Sequence, residues 1–304
     1  MKSNVLKGSV LIAIGASCYG MLGIYVKMAY REGFNTAEVT ISQFFLGFVG
    51  LLLLTLFRKQ ESGATPVRQD AKSRIKLVIA GSSLGLTSIF YYLAVKYIAV
   101  SVAIVLLMQA VWMGVILEMF LLRKLPGKRK VISALIVITG TILATNIYRQ
   151  TVAINWSGVG FGTLASLCYT ATMYSSNTVA LHFPPVKRSL YMITGGLIAI
   201  IMVFHSVINP DFSYRIFLRW GPVVSLFGTI LPPLLFTSGM PLTGVGLGAI
   251  IASIEIPIAV IMASILLNEP VSLLQWFGIA LILIAVILMN WPKKKDLTLN
   301  GKSK

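Results

Sequence analysis

The sequence predicts an all-α integral membrane protein: ten transmembrane helices arranged as two inverted five-helix repeats. Three observations carry that expectation. The first is composition. Of 304 residues, 57% are hydrophobic and only 12% charged, with a mean hydropathy of +0.86, whereas a soluble domain carries about 25% charged residues. The second is apolar runs of the length that spans a bilayer core, roughly 20 residues. They recur ten times. The third is self-similarity. GASCY, ending at Tyr19, returns as ASLCY, ending at Tyr169, 150 positions on (169 − 19). VSVAIVLLMQAVWMGV from Val100 parallels VGLGAIIASIEIPIAV from Val245, and SALIVITGTIL from Ser133 parallels GIALILIAVIL from Gly278, both at an offset of 145 (245 − 100, 278 − 133). Five helices per repeat is an odd number, so the second repeat is expected to enter the membrane from the opposite side. Such inverted repeats place solute sites near the midplane.

The first run, 8–27, follows Lys2 and Lys7 as a signal peptide would. Gly15, however, stands where a lipoprotein cleavage site before Cys18 wants a large aliphatic residue, and a second run follows closely, so a retained helix is expected. The next runs are 37–57, 75–95, 99–122 and 131–148, with a flexible polar gap at 58–74. They complete a first repeat over 1–150. A second repeat over 151–292 holds runs at 156–181, 188–207, 220–239, 244–267 and 272–291, and a basic tail at 293–304 is expected to be cytoplasmic. The last two runs are joined by Asn268, Glu269 and Pro270, and Ser272 with Gln275 reads as a capping box.

Loop charge sets the orientation. With the N-terminus inside, inner segments hold twenty Lys and Arg and outer segments six, together the 26 of the chain. Both termini are therefore expected in the cytoplasm, at the cytoplasmic membrane. Tyr148, Trp156, Trp220 and Trp291 fall at expected interfaces. A net charge of +17 would suggest nucleic acid in a soluble chain. Short basic loops between apolar runs point instead to anionic lipid headgroups. The expected partners are a small-molecule substrate and membrane lipids, with no nucleic acid; a homodimer is an open option.

Glu255 is the candidate functional acid. It lies near the middle of the run 244–267, on a stripe with Gly248, Ala252, Ala259 and Ala263. A carboxylate in hydrocarbon costs several kcal/mol unless paired, protonated or facing water. Two residues on, Pro257 removes a backbone donor and is expected to free the carbonyl of Ser253. Such a defect survives only beside protein or a wet cavity. Glu255 thus reads as a partner for a substrate amine or a proton-coupling acid, or else as an acid buried for structure. Tyr19 and Tyr169, at equivalent positions of the two repeats, could line the path or pack the repeat core. Pro232 and Pro233 interrupt the run 220–239, freeing the carbonyls of Gly228 and Thr229; with Pro257 they are the candidate hinge or helix-break positions. Glu118, near Arg123, reads as structural.

Over nearly its whole length the chain resembles the EamA-type members of the drug/metabolite transporter superfamily. Leu226 to Leu288 carries the resemblance best, with Glu255, Pro257, Asn268, Glu269, Pro270 and Gly278; Ile89 to Leu107 is the matching first-half piece. The first half departs at Lys124 and Trp112, where an acid and a proline are common. The resemblance implies ten helices and outward transport of small metabolites, often amino acids. It also places the third and fourth helices around the cavity, and with them Tyr91, Tyr92, Gln109 and Trp112. Neighbours on a helix lie about 100° apart, so only one of Tyr91 and Tyr92 is expected to face inward.

Three motifs lead nowhere. Gly244, Gly246 and Gly248 alternate as in a nucleotide loop, but no strand precedes them. Asn155-Trp156-Ser157 matches a glycosylation sequon but lies almost in the interface. His182 and His205 have no metal-ligand spacing, and no cofactor is expected. Cys18 and Cys168 are expected free and buried. The function expected is that of a secondary transporter working by alternating access, and not an enzyme. The alternatives are a lipid or amphiphile flippase and a membrane-embedded enzyme, the latter short of convergent catalytic groups.

Overall fold

The computed structural model describes residues 2–57, 71–98, 100–144, 155–207, 212–268 and 271–290, and among them it is helical, with no strand. Glu269, Pro270, Tyr148, Trp291, most of the 58–74 gap and the basic tail lie outside these residues. The first half holds α1 (Lys2–Arg31), α2 (Thr36–Phe57), α3 (Ala71–Tyr97), α4 (Val100–Leu107), α5 (Ala110–Leu122) and α6 (Lys128–Ala144). The second holds α7 (Trp156–Thr178), α8 (Pro185–Phe204), the short α9 (Ile216–Arg219) and α10 (Gly221–Ser225), a π turn (Leu226–Ile230), α11 (Leu231–Thr243), α12 (Val245–Ala252), α13 (Glu255–Leu267) and α14 (Leu273–Asn290).

Among the described residues seven stretches are long and apolar enough to cross a membrane: Asn4–Arg31, Thr36–Phe57, Ala71–Val95, Ala103–Leu122, Pro185–Phe204, Gly221–Thr243 and Val245–Leu266. Leu273–Met289 is apolar but shorter. The chain is a multi-pass membrane protein. The ten expected crossings are matched in part only. α6 opens on Lys128, Arg129 and Lys130, and α7 carries a run of glycine, serine and threonine that lowers its hydropathy.

Helices meet through small residues, as expected where lipid supplies no hydrophobic drive and backbones must approach closely to gain contact. Gly8 lies on Gly239 and Leu242, and Gly15 on Phe236, so α1 and α11 run antiparallel. Gly81 lies on Met192 and Gly85 on Gly196, so α3 and α8 run parallel. Gly114 lies on Ala249 while Glu118 reaches Gly246, which makes α5 antiparallel to α12; Gly140 lies on Leu281 and Ala144 on Gly278, which makes α6 antiparallel to α14. The two main apolar clusters each draw on both halves. One joins Ile12 and Ala16 to Tyr169, Phe236 and Ile256; the other joins Phe44 and Leu84 to Ile193 and Val224.

The capping box is met, the cysteine expectation is met in part, and the partner of Glu118 and the setting of Arg188 are corrected. Ser272 and Gln275 exchange backbone–side-chain bonds at 2.9 and 3.3 Å. Asn155 is a helix cap, its Oδ1 accepting from the Gly158 N–H at 3.2 Å. Cys18 and Cys168 are free, Cys18 buried and Cys168 half-buried. Glu118 pairs with Lys130 across the α5–α6 turn rather than with Arg123. Arg188, counted above with the inner-loop cations, is 2% exposed. Its guanidinium donates to the carbonyls of Thr237 at 2.7 Å, Ser176 at 2.6 Å, Val179 at 3.1 Å and Ser175 at 3.4 Å. Pro232 and Pro233 interrupt the α-helical run without ending it. They occupy the first turn of α11, and the π turn before them widens the helix so that the Leu231 N–H bonds the Leu226 carbonyl. That takes up the clash a proline ring makes with the preceding turn.

Candidate functional site

The apolar run 244–267 is two helices. α12 stops at Ala252, Ser253 and Ile254 turn, and α13 starts at Glu255. The turn tightens to three-residue bonds: Ile254 N–H to the Ile251 carbonyl at 3.1 Å and Ile256 N–H to the Ser253 carbonyl at 3.1 Å. The Ser253 carbonyl is therefore not free, a correction to the expectation. Pro257 falls in the first turn of α13, where its missing donor has no helical partner to lose. The turn sets Glu255 at the head of α13.

Glu255 opens on a cavity of about 110 Å³, room for several waters or a small organic solute. Tyr19 of α1 and Tyr169 of α7 close one side, with ring centroids 6.3 Å apart in an edge-to-face pair. The Tyr169 hydroxyl donates to Glu255 Oε2 at 3.4 Å. Tyr91 and Tyr92 of α3 both line the space, with rings 6.0 Å apart. Only one was expected to face inward. The cavity wraps around that turn of α3, and Tyr92 reaches sideways to α2, where its hydroxyl donates to Gln43 Oε1 at 3.4 Å. Glu255 is the sole ionisable carboxylate of the lining among the described residues, and no lysine or arginine joins it.

Gln109 and Trp112 are not part of this wall. Trp112 Nε1 donates to Gln109 Oε1 at 2.6 Å, Gln109 Nε2 donates to the Val105 carbonyl at 2.9 Å, and Trp112 is 37% exposed. The break between α4 and α5, at Met108 and Gln109, turns these side chains away, and Ile104 and Leu107 of α4 face the cavity instead. Ala259 lines the cavity with Glu255, while Gly248 packs on Met240 and Ala252 is buried. Sequence reasoning missed Gln43, Thr87, Ser88, Thr172 and Gly228. Gln43 carried a signal, as a glutamine inside an apolar run; the others look like ordinary small helix residues. Among the described residues no group of three His, Cys, Asp or Glu could hold a metal ion.

A sequence model of the EamA-like transporter family matches the chain twice, over residues 6–146 and 156–291. No curated protein matches it. A solved structure described only as "Crystal structure of protein" superposes with a TM-score of 0.75 at 14% identity, covering 94% of this chain and 97% of that one. At that identity the likeness shows the fold alone.

Proposed function

The chain belongs to the EamA-like transporter family, and from that premise we propose that it is a secondary transporter that exports a small amine-bearing metabolite, such as an amino acid, by alternating access. One observation carries the proposal: a lone carboxyl opens on a tyrosine-lined cavity between the two halves. An ammonium group supplies the charge this acid lacks, and tyrosine faces attract a cation. The same carboxyl can exchange a proton when the amine leaves, which would couple transport to a pH gradient. The export direction rests on the family resemblance.

In this reading α6, α7 and α14 also cross the membrane, giving ten crossings with both termini in the cytoplasm. The antiparallel pairing of α5 with α12 and α6 with α14 supports halves of opposite orientation, since each pair joins equivalent apolar runs of the two repeats, 99–122 with 244–267 and 131–148 with 272–291. Rocking of one half against the other would expose the cavity to each side in turn. The test is counterflow of labelled amines and amino acids in proteoliposomes, with and without a pH gradient. Amine counterflow that slows by about 10-fold or more in Glu255→Gln, the scale of one lost charge-assisted bond, supports the reading. Unchanged counterflow at every pH in a correctly inserted Glu255→Gln removes this residue from the mechanism.

A further inference from the structure

Gln43 lies midway along α2 and is 2% exposed, yet it lines the cavity. It is held from both sides. Its main-chain carbonyl accepts the Thr229 hydroxyl at 2.8 Å, and that hydroxyl also meets the Ser225 carbonyl at 3.0 Å. One end of its side-chain amide takes the Tyr92 hydroxyl at 3.4 Å. The other end lies over Gly228, in the middle of the π turn, where a Cβ would run into Nε2. Glycine at 228 is thus what leaves room for the amide. Among the described residues no protein acceptor meets Nε2. Nε2 is left facing the cavity, where a solute group can accept from it. With Oε1 accepting from Tyr92, the end left over Gly228 is the Nε2 donor.

The hydroxyls of Thr87 and Ser88 are already committed. Thr87 donates to the Ser83 carbonyl at 2.7 Å and Ser88 to the Leu84 carbonyl at 3.5 Å, each on its own helix. π turns often mark functional positions, and this one is built around the amide.

We infer that the Gln43 amide, set on the Gly228 backbone, is a specificity-determining second pole of the cavity, binding the carbonyl or carboxylate of a solute whose amine faces Glu255. The inference rests on the transporter reading above and narrows it. The solute is a compact bifunctional amine. A simple amine fills one pole and leaves the other unpaired. Sites built to hydrogen-bond a substrate group reject analogues that lack it far more strongly than apolar pockets reject a missing methylene.

The experiment uses three matched probes: leucine, leucinamide and 3-methylbutylamine, the last lacking only the acceptor group. Dissociation constants come from ligand-dependent thermal stabilisation of the purified full-length protein. Wild type is expected to bind leucinamide or leucine at least about 10-fold more tightly than 3-methylbutylamine, the scale of one hydrogen bond involving a charged or buried partner. In Gln43→Leu that ratio falls to within about 2-fold while the affinity for the simple amine holds, since only the acceptor contact is lost. Gly228→Ala, which displaces the amide without removing it, shifts the ratio in the same direction and stands in if Gln43→Leu does not fold. An unchanged ratio in both variants overturns the inference. So does equal weakening of all probes, or a wild type that does not discriminate. Glu255→Gln separates the two claims. If it leaves amine binding untouched, the Glu255 reading fails while a Gln43-dependent ratio stands; if it weakens every probe and the ratio ignores Gln43, the second pole alone fails.

Discussion

The two halves break a helix at equivalent places, and only one break carries a functional group. α4 gives way to α5 at Met108 and Gln109; α12 gives way to α13 at Ser253 and Ile254, 145 positions on (253 − 108, 254 − 109). The bonding matches. Val111 N–H bonds the Met108 carbonyl at 3.0 Å, as Ile256 N–H bonds the Ser253 carbonyl at 3.1 Å. The second break has Pro257 beside it. The first has Trp112 at the equivalent position (257 − 112 = 145) and breaks all the same. Proline is therefore compatible with the break without being its cause; the close antiparallel crossing of α5 and α12 is common to both. At the head of the new helix the halves part company. Ala110, 1% exposed, is packed in the core, while its counterpart Glu255 faces the cavity.

A second equivalent pair makes the same point with charge. Glu38 and Arg188 stand 150 positions apart (188 − 38), the offset that relates Tyr19 to Tyr169, and each is buried in the first turn of its helix. Glu38 accepts from backbone N–H groups, those of Asn35 at 2.8 Å and Ser213 at 2.7 Å. Arg188 instead serves carbonyls, three of them at the end of α7. An anion suits orphan donors and a cation suits orphan acceptors. Equivalent positions thus hold each half's loop by opposite means.

The largest effect should come from the Arg188 end of that pair. Arg188→Met strands several buried carbonyls and is expected to cost about 3–5 kcal/mol, at roughly 1–3 kcal/mol per orphaned group, seen as a lower melting temperature in detergent. Glu38→Gln keeps an acceptor and should cost clearly less; equal losses would break the contrast. Next comes Glu255→Gln, expected to slow amine counterflow by about 10–100-fold, the scale of one lost charge-assisted bond. Ala110→Gln, by contrast, should act on stability without changing which solutes are moved.

Pro257→Ala sharpens the comparison of the breaks. It should leave counterflow within about 2-fold and stability within about 1 kcal/mol, because the unbroken alternative is already refused in the first half without a proline. A large loss of transport would make the proline a working hinge. The smallest effect concerns the exposed link between halves, where Arg219 bonds both carboxylate oxygens of Glu32 at 3.2 Å. The Arg219 guanidinium holds the Glu32 carboxyl below its usual range. Its contribution is thus full above the unfolded value of about 4.3 and is lost as pH falls through the lower folded value. Melting curves of Glu32→Gln and wild type should differ slightly at neutral pH and low salt, and converge in acid.

Much of the site was legible in the chain. Glu255 stood out because an acid in an apolar run is expensive, and Tyr19 with Tyr169 because the repeat aligned them; all three meet at the cavity. Tyr91 and Tyr92 came by family resemblance and also arrived there. Gln109 and Trp112 did not, since the break between α4 and α5 resets the helical phase that any wheel drawn along the run assumes. Gln43 was missed for a related reason. Its importance depends on Gly228, 185 positions away (228 − 43), and on a π turn that no local pattern announces.

What the sequence determined alone was the solvent, the succession of apolar runs, the twofold repetition and the presence of one costly acid. Each is a property of composition or of local spacing, and hydrocarbon enforces each regardless of what packs against what. Which polar side chains converge, which cation is buried under carbonyls and where a helix widens were decided by tertiary structure. These follow from the rotation and height of neighbouring helices, and such quantities are set by close contacts between residues far apart in the chain.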